Sequence, residues 1–127
     1  MSLRTPLARV RGLGAAKSGP THFWLQRLTA IALVPLTVWF LASIVAYAGA
    51  DYDAVIGYLR NPVVATLFLL FLGACLIHVK LGLQVIVEDY FHREGSKVAL
   101  LILCDFFTYA VGALAAFSLL KIAFGYP

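Results

Sequence analysis

The chain is poor in charge and in most of the devices that soluble enzymes are built from. Six Asp and Glu stand against ten Lys and Arg in 127 residues, so charged residues make up 13% of the chain and hydrophobic ones 62%. With a mean hydropathy of +0.92, an ordinary soluble globular domain is excluded. Cys75 and Cys104 are too far apart for a zinc or iron-sulfur site, and each reads as a small apolar packing residue. There is no glycine-rich phosphate loop, no internal repeat, no low-complexity linker and no basic stripe suited to nucleic acid.

What is present is three apolar runs, 28–48, 62–87 and 98–124, each long enough for the ~20 helical residues that cross a bilayer. Backbone groups in lipid must be bonded within their own segment, so helices are expected rather than the ~10-residue alternating strands of a barrel. The expected fold is therefore an all-α membrane protein. A basic arm, 1–20, precedes a three-helix domain, 21–127, with spans at about 22–48, 62–90 and 97–124.

Basic residues orient the helices. Arg4, Arg9, Arg11 and Lys17 precede the first span, and Arg93 and Lys97 sit in the second loop. The first loop, GADYDAVIGYLRN, carries Asp51 and Asp53 against Arg60. The N-terminus and second loop are thus expected on the cytoplasmic or matrix side. Ala46-Tyr47-Ala48 resembles a signal-peptidase site, but the apolar run before it is about twice the length of a signal-peptide core. The acid-free arm has the arginine-rich look of a mitochondrial transit peptide, but the preferred reading is a basic segment lying on anionic headgroups.

Ionisable groups inside such spans cost at least about 2.5 kcal/mol each at a helix centre and usually face a partner, a cavity or a cofactor. Counting back from Tyr90 at 1.5 Å per residue puts His78 about 18 Å and Lys80 about 15 Å into the membrane. A buried imidazole either bonds a neighbouring helix's carbonyl or ligates a haem or metal. Gly82, one turn further along the same face, removes side-chain bulk where a flat macrocycle would lie. His22 and His92 lie about 20 Å from the level of His78, and the one methionine is Met1. A second axial ligand would therefore come from another polypeptide.

Lys80 is too deep to snorkel, and Asp105, about 12 Å in from Lys97, can meet it at similar depth; a haem propionate is the rival partner. Arg27, about 8 Å in, suits either headgroup phosphate or an anionic group of a cofactor. Tyr90 and Asp89 meet the membrane surface together. Tyr90 belongs either to the aromatic belt, with Tyr47, Tyr58 and Tyr126, or to a site where its phenol bonds a quinone carbonyl and the carboxylate helps protons arrive.

RLTAIAL opening the first span and HVKLGLQVIVEDYFH ending the second resemble the small hydrophobic membrane anchor of succinate dehydrogenase (complex II). That family's signature is a histidine, a glycine four residues on and Asp-Tyr eleven and twelve residues on, here His78, Gly82, Asp89 and Tyr90. The three-helix layout matches along nearly the whole chain, and RTPLARVRGLGAAKSG with HFWLQR resembles alphaproteobacterial members. The resemblance implies a haem b bound axially by His78 and shared with a histidine of a second membrane anchor, the cytochrome b subunit. It also implies propionates held by Arg27 and His22, and ubiquinone bonded by Tyr90 beside Asp89. Lys80 departs from the aromatic or small residue expected there.

With neither a flavin-binding fold nor a cysteine set for clusters, succinate oxidation would belong to a flavoprotein subunit and an iron-sulfur subunit, the latter docked on the basic side. This reading places the chain in a bacterial inner (plasma) membrane, with the mitochondrial inner membrane as the alternative. Two other functions remain: an anchor of a quinol:fumarate reductase, and a non-redox helical subunit of a transporter or assembly factor in which His78 and Lys80 line a polar path.

Overall fold

The computed structural model describes residues 5–12 and 19–125; Arg4, Lys17 and Tyr126 lie outside the described residues. Five helices follow in order, α1 (Pro6–Val10), α2 (Gly19–Tyr47), α3 (Tyr52–Arg60), α4 (Pro62–Tyr90) and α5 (Glu94–Ala123). The described residues form no strand. α2, α4 and α5 are apolar helices of 29, 29 and 30 residues, each about 43–45 Å long and more than enough to cross ~30 Å of hydrocarbon. Pro35 lies inside α2 without ending it, as membrane helices allow.

α4 is central. α2 packs along one side of it and α5 along another, while no comparable packing joins α2 to α5. α2 and α4 run antiparallel in one constant register. Near one end, Trp39 and Phe40 of α2 meet Phe68 at ring-centroid distances of 4.9 and 5.9 Å, and Phe40 stacks on Phe71 at 4.7 Å. Toward the other end the same register brings Thr29 to His78 and Gln26 to Gly82. Aromatic rings thus close the helix pair at the α3 end, whereas small and polar side chains leave it open at the end where the chain enters α2. On the opposite flank, α5 approaches α4 at Gly112, where a Cβ would fall 2.6 Å from Leu76 Cδ1. Glycine is therefore what permits that approach.

The loop between the first two spans is the point where the structure adds to the sequence reading. It contains α3, nine residues long, about 14 Å and far too short to span. Gly49, at φ 81°, turns the chain out of α2. Asp53 in the first turn and Arg60 in the last complement the helix dipole. Asn61 then caps α4, its Oδ1 accepting from the Val63 and Val64 amides at 2.9 and 3.4 Å with Pro62 at the first helical position. α3 is tied to all three spans: it packs on α4 and α5, Tyr58 stacks on Tyr47 at 4.3 Å and bonds Ser43 Oγ at 2.6 Å, and Arg60 Nε donates to the Ile122 carbonyl at 3.4 Å. Tyr47 and Tyr58 are thus paired with each other, a more specific role than a general aromatic belt.

Very little of this chain is covered by itself. Its accessible surface is 9622 Å², against about 6,600 Å² for a compact monomer of this mass. Ala65 and Val87 are the only buried hydrophobic residues among those described. A layer of apolar helices this open needs lipid or other polypeptides to cover it.

Candidate intramembrane cofactor site

His78 faces α2. Its Nδ1 lies 3.1 Å from Thr29 Oγ1, and Nε2 makes no hydrogen bond among the described residues. The ring is thus held through a side-chain hydroxyl, not through the backbone carbonyl expected of a structural histidine. One turn further along α4, a cleft of about 460 Å³ opens between α2 and α4, lined by Gly19, His22, Phe23, Gln26, Arg27, Gly82 and Val85. Three residues singled out from the sequence, His22, Arg27 and Gly82, therefore share one wall-to-wall space.

The cleft sets a cationic side chain beside the open space over a glycine. The Arg27 guanidinium lies over the Phe23 ring at 4.6 Å and has no ion-pair partner among the described residues. A Cβ on Gly82 would meet only Gln26 Nε2, at 3.9 Å, so the space above Gly82 is real. Gln26 Oε1 is buried without a hydrogen-bond partner, the kind of group that a bound molecule or water satisfies. A ring nitrogen free of hydrogen bonds and an unpaired guanidinium fit a haem with its propionates, whereas the Gln26 Oε1 acceptor calls for a donor such as water, which an ionised propionate does not supply. Among the described residues there is no cluster of three or more His, Cys, Asp or Glu able to hold a metal ion on its own.

Tyr90 and Asp89 end α4. Tyr90 is 77% exposed and stands about 8 Å along the helix beyond Val85, the outermost α4 residue of the cleft. Neither side chain is hydrogen-bonded or ion-paired among the described residues, so this chain presents them outward and does not enclose them. Lys80 faces α5 instead. Its Nζ lies 3.1 Å from Asp105 Oδ1 and 3.0 Å from Tyr109 Oη, and 4.8 Å from the Tyr109 ring centroid. Of the two partners considered for Lys80, the structure takes the carboxylate of the third span, and separates this cluster from the His78 face by α4 itself.

Thr29, Gln26 and Tyr109 escaped the sequence reading. Helical spacing held a signal for each: His22, Gln26 and Thr29 recur at intervals of four and three residues, and Tyr109 follows Asp105 by four.

A polar seam set in an open layer of three long apolar helices defines a multi-pass helical membrane protein. Residues 1–112 match the family described as succinate dehydrogenase/fumarate reductase transmembrane subunit, and the chain belongs to it. It is 30% identical over 121 residues to a succinate dehydrogenase hydrophobic membrane anchor subunit of Paracoccus denitrificans, covering 95% of this chain and 93% of that one. A protein of the same description from Rickettsia bellii is 33% identical over 83% of this chain and 84% of its own length. A succinate dehydrogenase membrane anchor subunit of Reclinomonas americana is 35% identical over 65% and 71%. No solved structure matches the chain. The resemblance read from RLTAIAL and HVKLGLQVIVEDYFH is thereby upheld, including its alphaproteobacterial character.

Proposed function

We propose that this chain anchors a succinate:quinone oxidoreductase in the membrane, supplies one axial ligand to haem b and forms part of the ubiquinone-reduction site. The observation that carries the reading is the convergence of His22, Arg27 and Gly82 on one cleft beside an imidazole whose Nε2 is unengaged. His78 would hold the iron from one side, and a histidine of the cytochrome b subunit from the other. Arg27 and His22 would hold the propionates, Arg27 through the bidentate geometry that guanidinium offers a carboxylate. When bound, the haem supplies a one-electron reservoir within the membrane.

Tyr90 would donate its phenolic hydrogen to a quinone carbonyl, which fixes the ring and polarises the oxygen that is to be protonated. Asp89, one residue before it on the water-facing end of α4, would hand protons from the aqueous side to that oxygen. Electrons would arrive from an iron-sulfur subunit, itself fed by a flavoprotein subunit, docked where α2 begins and α4 ends. Arg93 and Lys97 lie on that side and Asp51 and Asp53 on the other, which supports an N-terminus on the cytoplasmic or matrix side. The names of the relatives favour succinate oxidation as the direction.

The test is the purified complex. The wild-type complex should show a haem b Soret band that His78→Ala loses, while Tyr90→Phe should keep the band and reduce quinone with a raised KM, by roughly tenfold for one lost hydrogen bond in a desolvated site. An unchanged KM and rate in Tyr90→Phe removes Tyr90 from the quinone site.

A further inference from the structure

Thr29 is one of the few buried residues among those described, at 7% exposure, and its hydroxyl has three neighbours. Oγ1 lies 2.7 Å from the Leu25 carbonyl, 3.1 Å from the Gln26 carbonyl and 3.1 Å from His78 Nδ1. A hydroxyl has one hydrogen to give and two lone pairs to receive with. The two carbonyls can only accept, and the Leu25 oxygen is the nearest of the three, at the distance of a well-formed O–H···O bond. The back-bond to the carbonyl four residues earlier is also what a helical threonine ordinarily makes. The Thr29 hydrogen is thereby committed to its own helix, and what Oγ1 turns toward α4 is a lone pair.

Only a protonated Nδ1 can face that lone pair. The opposite tautomer would set two lone pairs against each other at 3.1 Å, or force the hydroxyl away from the Leu25 carbonyl. We propose that Thr29 is a positioning residue for the prosthetic group: by accepting from His78 Nδ1–H it fixes the neutral imidazole as the tautomer whose Nε2 carries the lone pair, and locks the ring's rotation about its bond to Cβ. Nε2 is then the atom offered to a haem iron. The hydrogen bond at the far nitrogen also makes the ring a stronger donor, which favours the ferric state. This inference rests on the reading of His78 as an axial ligand.

Thr29→Val keeps the shape and removes the hydroxyl; Thr29→Ser keeps the hydroxyl. Both are made in the whole complex, with co-purification of the other subunits as the measure of assembly. In Thr29→Val, haem should be lost to apomyoglobin about tenfold more readily, and the ratio of ferrous to ferric haem at a fixed potential should rise roughly tenfold, a midpoint about 59 mV higher for a one-electron couple. Thr29→Ser should keep the wild-type potential. Thr29→Ala is read beside Thr29→Val so that a steric failure of one leaves the other, and if neither assembles, a Thr29→Ser midpoint displaced by about 59 mV from the wild type overturns the assignment. A wild-type potential and haem affinity in Thr29→Val, or a Thr29→Ser potential displaced as far as that of the variants lacking a hydroxyl, overturns the assignment. The ligand reading is separate: it stands if His78→Ala strips the haem b band whatever the Thr29 variants do, and falls, with this inference, if His78→Ala keeps that band unchanged.

Discussion

Replacing Lys80 by methionine leaves Asp105 as a carboxylate about 12 Å inside the membrane with its cation gone. In the intact chain that cation sits 3.1 Å from Asp105 Oδ1 and shares itself with Tyr109 Oη at 3.0 Å. The side chains are 29% and 48% exposed, yet at this depth the exposure is to lipid or to another polypeptide, so water does not screen the pair as it would at a soluble surface. An unpaired charge at a helix centre costs about 2.5–3.5 kcal/mol. Lys80→Met and Asp105→Asn should therefore each destabilise the assembled complex by up to about 3 kcal/mol, because each strands the other's charge. The double variant, with no charge left to strand, should be more stable than Asp105→Asn alone. The coupling between the two sites should come out at roughly 2–3 kcal/mol. The assay is a double-mutant cycle read from complex yield and from unfolding of the complex in graded denaturing detergent. Costs that simply add, or a double variant no better assembled than Asp105→Asn, would show that the pair is not what keeps these charges in the membrane.

Two further perturbations test the packing. Gly112→Ala places a methyl group 2.6 Å from Leu76 Cδ1, the far end of a flexible side chain, so a modest loss is expected, whereas Gly112→Val should cost about 1–3 kcal/mol of overpacking, recovered in part by Leu76→Ala and read by thermal unfolding of the complex. Ser43→Ala removes the 2.6 Å bond to Tyr58, worth about 1 kcal/mol, and should speed tryptic cleavage after Arg60 in outward-facing vesicles; an unchanged cleavage rate would mean that the Tyr47–Tyr58 stacking, the Arg60–Ile122 bond and the packing on α4 and α5 hold α3 without Ser43.

Several parts of this molecule were legible in one dimension. The three spans followed from apolar runs, since a helix is the structure that satisfies its backbone in lipid without outside help. Lys80 and Asp105 could be matched because depth grows by a fixed 1.5 Å per residue, and two groups at one level in one membrane tend to meet. α3 was missed because its nine residues mix Asp, Tyr and Arg with small apolar side chains, and its helical state depends on tertiary supports, the Tyr47 ring, the Ser43 hydroxyl and the Ile122 carbonyl.

The sequence by itself determined how far along its helix each polar group lies, and with it the membrane class and the number of spans. Tertiary structure alone decided which way each group turns. His78 and Lys80 are two residues apart on α4, about 200° around the helix, so one meets Thr29 of α2 and the other Asp105 and Tyr109 of α5. The physical reason is that rise along a helix is a local property of the backbone, whereas the neighbour found at a given azimuth depends on which helices pack, in what register, and where a glycine such as Gly112 lets them close.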